Sequence, residues 1–188
     1  MNIFIEHTQF LKNEAEILLK HLQGDKPALR ESAVSRFHQL ASFSELSSTD
    51  RQTIDAIQHK HALTVVAVEN GYDSWAELKK ALETAASSPV AEIDEQFYPK
   101  SFTTYWNIWF AKYAQAKKVL NEGKGYLLPY KHQFFICEEH FVDSIGIPHT
   151  LPEWDMIGRD WIHPKNVKAW LDLNDIFVRA TKDRTKKS

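Results

Sequence analysis

The amino-acid sequence predicts an all-α protein of two small helical subdomains, with roughly eight to nine helices and no significant sheet. Three observations support this fold class. Apolar residues recur three or four positions apart along most of the chain, which places them on one side of a helix. Capping boxes, in which two residues three positions apart satisfy each other's helix-end groups, begin at Thr49, Ser74 and Thr150. Runs that alternate apolar with polar residues, which are typical of strands, are missing.

The composition excludes several classes of protein. The 188 residues carry 23 Lys and Arg against 25 Asp and Glu, so the chain has no bulk attraction to nucleic acid or to anionic lipid. No apolar run approaches the roughly 18 residues of a membrane span. A single Cys excludes an intrachain disulfide framework, and the amino terminus lacks the pattern of a secretory signal. We therefore expect a cytoplasmic protein, with no membrane and no nucleic acid among its partners.

A change in composition marks the expected domain boundary. Residues 1–88 hold six of the 23 aromatic residues, whereas residues 89–188 hold seventeen, including five of the six Trp. A stretch of small residues, Ser and Pro lies between them at 85–90, and such a stretch neither continues a helix nor buries much surface. We expect a helical N-terminal module over 1–88 and an aromatic-rich helical domain over 89–188.

Two helices are expected in the first 40 residues. The first carries apolar residues at helical spacing and ends at Gly24, because glycine tolerates the backbone conformation that ends a helix. The second begins near Asp25, since Asp followed by Pro27 is the order of an N-cap and a first-turn proline. Its apolar side continues to Leu40.

Three further helices complete the N-terminal module. Thr49 with Gln52 has the spacing of a capping box and predicts the start of the third helix. Residues 60–70 are largely apolar and stop at Gly71, which predicts the end of the fourth. A second capping box at Ser74 predicts the start of the fifth.

Part of this module resembles a known family. Residues 59–83, and more weakly 15–83, resemble a short helix-turn-helix module that bacterial proteins carry ahead of ankyrin repeats or glyoxalase-like domains. The matching residues are Ala62-Leu63, Val66-Ala67, Glu69, Gly71-Tyr72, Ser74-Trp75 and Leu78-Lys79. Val68 stands where the family has Arg, and no ankyrin or glyoxalase signature follows. The resemblance implies a helical, non-catalytic module; residues 89–188 resemble no characterised family.

The aromatic-rich domain is also expected to be helical. Residues 103–121 place Trp106, Trp109 and Tyr113 on one broad apolar face of a helix. A turn follows, and Tyr126-Leu127-Leu128 is too short to count as a strand. The box at Thr150 predicts a short helix, and His163-Pro164 predicts the start of the last one.

The expected helix from Tyr130 to Ile145 is the most informative element. Its apolar seam consists of Tyr130, Phe134, Cys137, Phe141 and Ile145. Gln133, His140 and Ser144 form a polar strip beside that seam at helical spacing. Buried polar groups need partners, so the strip is interpreted either as a structural hydrogen-bond network or as the polar side of an aromatic-lined ligand cleft.

The cleft interpretation gives a binding or interaction protein whose ligand is a small molecule or a peptide. Its candidate ligand-binding residues are Trp109, Tyr113, Tyr130, Gln133, His140 and Trp161. The alternative is an enzyme of unknown reaction, in which His140, Gln133, Tyr130 and Asp160 converge in the same cleft. The chain has no phosphate-binding loop, nucleophile elbow or His-Glu-x-x-His motif, so no catalytic residue is assigned.

Other chemistry is less well supported. Cys137 and His140 are spaced to share a metal ion, but a site needs three or four ligands and no third converges, so we expect neither metal nor cofactor. Cys137 lies between aromatic residues, where burial makes a thiol inert. A basic carboxyl end over 179–187 could attract nucleic acid, but it is more simply a solvated helix end.

Overall fold

The computed structural model describes residues 3–87, 106–123 and 125–185. The chain divides into two compact units, Phe4–Thr84 and Ala85–Ser188, the latter together with Met1–Ile3. Most of the expected linker beyond residue 87, the first residues of the helix expected over 103–121, and the last lysines of the basic end lie outside the described residues.

The N-terminal unit consists of helices in its described part. They are α1 (Ile3–Gln23), α2 (Pro27–Phe37), a 3-10 turn (Ala41–Phe43), α3 (Arg51–Ala56), α4 (His59–Glu69) and α5 (Trp75–Ala86). The core side of α1 is aliphatic in the expected spacing, with Leu11, Leu18 and Leu22 buried. Gly71 follows α4 with a φ of 84°, a left-handed conformation that glycine adopts without strain.

The helix ends of this unit differ from the expected caps in two places. Lys26, and not Asp25, precedes α2, although Pro27 does occupy the first turn. Asp50, and not Thr49, caps α3, since its Oδ1 accepts a hydrogen bond from the Thr53 N–H at 3.1 Å. Both helix starts are displaced by one position. At α3 two adjacent residues, Thr49 and Asp50, can both cap and Asp50 does so, whereas at α2 Lys26 makes no side-chain cap.

Two other helix starts follow the capping-box logic. The Ser74 Oγ accepts from the Glu77 N–H at 3.3 Å, as expected for the start of α5. At α4 the third helical residue is His61, whose Nδ1 accepts from the Gln58 N–H at 3.1 Å. A histidine thus occupies the position that Glu or Gln takes in a standard box.

The C-terminal unit combines helices with a small sheet. Its described elements are β1 (Ile108–Phe110), α6 (Tyr113–Asn121), β2 (Tyr126–Tyr130), β3 (Gln133–Cys137), α7 (Glu139–Ser144), α8 (Glu153–Met156) and α9 (Val167–Thr185). The sheet is antiparallel with strand order β1-β3-β2. The protein is therefore mostly helical, as expected, and the expectation of no significant sheet holds only in part, because this unit contains a small three-stranded sheet.

The helix expected from Tyr130 to Ile145 is the clearest error. Tyr130 ends β2, Gln133–Cys137 is β3, and only Glu139–Ser144 is helical. Both sides of β3 are covered, so its four consecutive apolar residues read equally well as a helix with two apolar sides. The spacing of Phe134, Cys137 and Phe141 matched a helix only by coincidence.

Three other expectations for this unit need correction. Trp109 lies in β1 and not on a helix with Tyr113. The short helix α8 begins at Glu153 after Pro152, and not at Thr150. The last helix begins at Val167, where the Asn166 Oδ1 accepts from the Ala169 N–H at 2.9 Å, and not at His163.

The strand register shows which residues lie on each face of the sheet. Trp109, Phe135 and Leu128 are neighbours across the three strands and share one face, and Phe110, Phe134 and Pro129 share the other. On the first face the Phe141 ring lies 5.4 Å from that of Phe135. On the second face the Tyr113 ring of α6 lies 5.9 Å from that of Phe134. Aromatic contacts therefore cover both faces.

Candidate functional site

Three of the predicted binding residues meet on one face of the sheet. The Trp109 ring stacks on Phe135 with centroids 4.9 Å apart, and its centroid lies 5.6 Å from that of Tyr130 in an edge-on contact. Gln133 stands opposite Tyr130 in the β2–β3 register. Trp109 keeps 38% of its surface exposed, and Gln133 is also exposed. We call Trp109, Tyr130 and Gln133 the aromatic platform.

Strand pairing, and not a helix, brings the platform together. Side chains alternate between the faces of a strand, so Trp109, Tyr130 and Gln133 all project from the face that carries Phe135. The turn between β2 and β3 contains Lys131 with a φ of 54°, an uncommon value for a residue other than glycine. The Lys131 Nζ lies 5.5 Å from the centroid of the Tyr130 ring, within the range of a cation–π contact.

Tyr113 is not part of the platform, because it belongs to a polar cluster around Asp160. The Asp160 side chain is fully buried, and its Oδ2 accepts from the Tyr113 hydroxyl at 2.6 Å and from the Lys117 Nζ at 2.8 Å. Its Oδ1 accepts from the backbone N–H groups of Ile162 at 3.1 Å and His163 at 3.0 Å. We call Asp160, Tyr113 and Lys117 the Asp160 cluster.

The backbone around Asp160 holds the carboxylate in place. Arg159 has a φ of 55°, and its carbonyl accepts from the Leu127 N–H at 2.9 Å. The Trp161 N–H in turn donates to the Leu127 carbonyl at 3.0 Å. These bonds tie the segment that carries Asp160 to β2, while Tyr113 and Lys117 tie it to α6.

Burial and charge determine which groups of the Asp160 cluster carry a proton. Burial, followed by the hydrogen bond to Asp160, raises the pKa of Tyr113 well above its ordinary value. The Tyr113 hydroxyl therefore stays protonated at neutral pH and donates a hydrogen bond to the Asp160 carboxylate. The Lys117 ammonium balances the buried negative charge, which otherwise carries a large desolvation cost.

Trp161 lies in the core. It is 1% exposed, and its ring centroid is 5.7 Å from that of Trp154 and 6.4 Å from that of Trp170. The structure does not bring it to the platform.

His140 lies on α7, where it is exposed and outside both the platform and the Asp160 cluster. A positive charge on His140 is one of the causes that lower the pKa of Asp143. Burial opposes ionisation of Asp143, but hydrogen bonds from the backbone and ring of His149, together with the charges of His149 and His140, lower the Asp143 pKa. The expected polar strip of Gln133, His140 and Ser144 is not formed, because β3 and α7 replace the single helix.

Cys137 is enclosed at the end of β3. Burial raises the pKa of its thiol well above the usual range, and the Sγ donates to the Tyr126 carbonyl at 3.5 Å. Within the described ranges, no group of three or more His, Cys, Asp or Glu side chains is arranged to hold a metal ion. The described helices also include none with the length and apolar character needed to cross a membrane.

The N-terminal unit has an open groove that the sequence did not indicate. Its volume is about 520 Å³, and it runs along the last turns of α1 beside the start of α4. The lining residues are Glu16, Leu19, Lys20, Gln23, Gly24 and His59. None of the predicted binding residues lines it, and no local motif marks its position.

Comparisons of this chain with protein-family models, with curated proteins and with solved structures find no match. Function is therefore inferred from the geometry of the platform and of the Asp160 cluster.

Proposed function

We propose that the protein is a cytoplasmic binding protein whose aromatic platform takes an extended peptide segment of a partner. The exposure of large apolar side chains on β1 and just before it supports this proposal. Trp106 is 96% exposed, Ile108 50% and Trp109 38%. Ile108 and Trp109 project from opposite faces of β1, and β1 is the outer strand in the order β1-β3-β2. An extended partner that lies beside β1 therefore contacts exposed apolar side chains of both faces.

The residue types of the platform suit binding. Trp and Tyr each bury about 150–250 Å² when covered, and they dominate the energetics of interfaces. Trp109 is held rigid by stacking on Phe135, so a partner that covers it pays little for ordering its side chain. Gln133 adds an exposed amide that donates and accepts hydrogen bonds at the side of the rings.

An extended peptide suits the platform better than a small molecule does. Pockets for small molecules are concave and cover roughly 70–90% of the ligand. The platform lies on the face of a sheet, and its exposed Trp109 and Gln133 form an open surface. An extended chain makes many contacts along such a surface without being enclosed.

The polar groups also favour binding over catalysis. Asp160, the carboxylate of the enzyme alternative, already accepts hydrogen bonds from Tyr113, Lys117 and two backbone N–H groups. These bonds give it the role of a structural anchor. The N-terminal module, by its resemblance to a non-catalytic family, fits the same proposal.

Selection from a random peptide library on the immobilised full chain tests the proposal. We expect an enriched sequence family whose affinity falls about tenfold or more in Trp109→Ala, corresponding to about 1.4 kcal/mol. Gln133→Ala should weaken binding by about threefold. Matched controls are Trp75→Ala, in the N-terminal unit, and Gln115→Ala, an exposed amide on α6.

Failure to enrich any sequence family would overturn the proposal. So would peptides that bind Trp109→Ala and Gln133→Ala as tightly as the unaltered chain. Because Gln133 is exposed, its substitution leaves the fold intact, so a lost interaction in that variant reports on the platform itself.

A further inference from the structure

We infer that the partner segment is acidic where it meets the turn between β2 and β3, and apolar along β1. This inference rests on the proposed binding function and adds the chemistry of the partner. The surface concerned runs from Trp106 along β1 to Lys112 and includes Lys131 and His132 of the turn. We call it the β1 surface.

The register places three basic side chains at one end of this surface. Phe110 stands opposite Phe134, so Lys112, two residues beyond Phe110, lies at the end of the sheet where β3 begins. Lys131 and His132 form the turn that leads into β3 at the same end. All three basic residues are exposed.

The apolar part of the β1 surface has the length of a short peptide. The backbone from Trp106 to Phe110 spans about 13 Å at about 3.3 Å per residue, and the chain bends at Ala111 and Lys112. A partner segment of about four extended residues covers the apolar length. Trp106 and Ile108 are the more exposed apolar residues, so large apolar side chains of the partner gain most by lying there.

The charge along the sheet is polarised, which gives the partner segment a preferred orientation. Lys112 and Lys131 carry the positive charge of the β1 surface at the end near the turn, and both are exposed. At the opposite end of β3, Glu138 and Glu139 follow the strand and are exposed. An acidic group is therefore attracted to the turn and repelled from the end near Trp106.

This polarity favours an acidic peptide over a single-stranded nucleic acid. A nucleic acid carries a phosphate at every residue and needs a basic groove that follows its whole backbone. The β1 surface is basic only at the turn, and acidic side chains lie at its other end.

Fluorescence anisotropy with the full chain tests the inference. The probes are three labelled peptides that share one apolar segment and end in three Asp, three Asn or three Lys, together with a labelled oligothymidylate. We expect the Asp peptide to bind about tenfold more tightly than the Lys peptide. Added salt should reduce this difference, because the charges involved are exposed to solvent.

Charge-reversal variants locate the effect. Lys112→Glu and Lys131→Glu should each reduce the preference for the Asp peptide by about threefold or more. Lys118→Glu makes the same change of charge at an exposed position of α6 and should leave the preference unaltered.

The outcomes separate this inference from the proposed function. Equal affinity for the three peptides, with sensitivity to Trp109→Ala, would overturn the acidic partner and leave the peptide-binding function standing. Lack of binding by all three peptides would count against both. Tighter binding of oligothymidylate than of the Asp peptide would replace the peptide partner with a nucleic acid.

Discussion

The two units build their cores from different side chains. The N-terminal unit buries mostly aliphatic residues along regular helices, with Leu18 and Leu22 of α1 as examples. The C-terminal unit buries Trp154, Trp161 and Trp170 around a short sheet. A few large rings fill a small core, and some of their contacts join residues far apart in sequence, such as Tyr126 with Trp154 and Trp109 with Phe135. The aromatic core therefore depends on tertiary geometry more than the aliphatic core does.

The units also differ in where they keep their main charge cluster. In the N-terminal unit, Arg36 pairs with Glu69 at 2.6 Å and with Glu14 at 3.0 Å, and all three side chains remain partly exposed. In the C-terminal unit, Asp160 is fully buried with Tyr113 and Lys117. Exposed pairs contribute about 0–1 kcal/mol, whereas breaking a buried one costs several times more. This difference predicts how each unit responds to substitution.

The largest effect is expected in the aromatic core. Trp161→Ala should lower the free energy of unfolding by about 3–5 kcal/mol, because it removes a fully buried ring and leaves a cavity. Met156→Ala, a control at an exposed apolar residue, should change it by less than about 0.5 kcal/mol. Urea denaturation measures both. A loss below 1 kcal/mol for Trp161→Ala would contradict a tightly packed tryptophan core.

The second-largest losses in the free energy of unfolding are expected for substitutions in the two charge clusters. Asp160→Asn removes the negative charge from a buried acceptor of four hydrogen bonds and should cost about 2–3 kcal/mol. Arg36→Gln removes the partly exposed partner of Glu69 and should cost no more than about 1 kcal/mol. Urea denaturation measures both losses. If the two variants lost equal stability, burial would not explain the difference expected between the two clusters.

A smaller effect depends on pH in the N-terminal unit. Burial, and then the charge of Lys60, lowers the pKa of His61, whose Nδ1 accepts from the Gln58 N–H. The unfolded chain therefore binds the proton more readily, and stability should fall as the pH drops below about 6.5. His61→Gln keeps an acceptor at the capping position and removes the titration.

Urea midpoints at several pH values compare the unaltered chain with His61→Gln. The variant should show the weaker decline between about pH 7 and pH 5, by up to about 1 kcal/mol for one hydrogen bond. Parallel declines in the two proteins would show that other histidines dominate the acid response.

The smallest change in stability is expected at the platform. Gln133→Ala should alter the free energy of unfolding by no more than about 0.5 kcal/mol, because water replaces an exposed amide. Thermal and urea denaturation measure the change. A loss above 1 kcal/mol would place Gln133 in a closed structural network and remove it from the candidate binding surface.

Local signals account for the success of sequence reasoning in the N-terminal unit. A helix is defined by residues three or four apart, so the aliphatic spacing of α1, Gly71 after α4, and Ser74 before α5 were all visible in short windows. The errors there, at Thr49 and Asp25, moved a helix start by one residue.

In the C-terminal unit the decisive contacts are not local. The Tyr113 hydroxyl and Asp160 are 47 residues apart in sequence, and their pairing has no signature in either segment. The β2–β3 hairpin also lacks the usual Asn-Gly or Gly-rich turn, since Lys131-His132 occupies it. The signal available for this hairpin is two short apolar runs separated by three polar residues, Lys131, His132 and Gln133.

Some of the predicted binding residues lie together in the structure for a reason other than the one predicted. Tyr130 and Gln133 were placed together by helical spacing, yet they meet as partners across two strands. Trp109 joins them through its strand pairing with β3. Trp161 and His140 were drawn into the same cleft because aromatic and polar residues cluster in the sequence, and such clustering does not distinguish a core from a surface.

The left-handed backbone at Lys131 sets a conflict for any attempt to make this protein more heat-resistant. A side chain in that conformation costs roughly 1–2 kcal/mol, which glycine avoids. A design procedure that rewards stability alone would choose glycine at this position. That choice would also delete the ammonium group above Tyr130. Thermal tolerance and the proposed recognition of a partner thus compete for one residue, and an engineered form would have to gain its stability elsewhere.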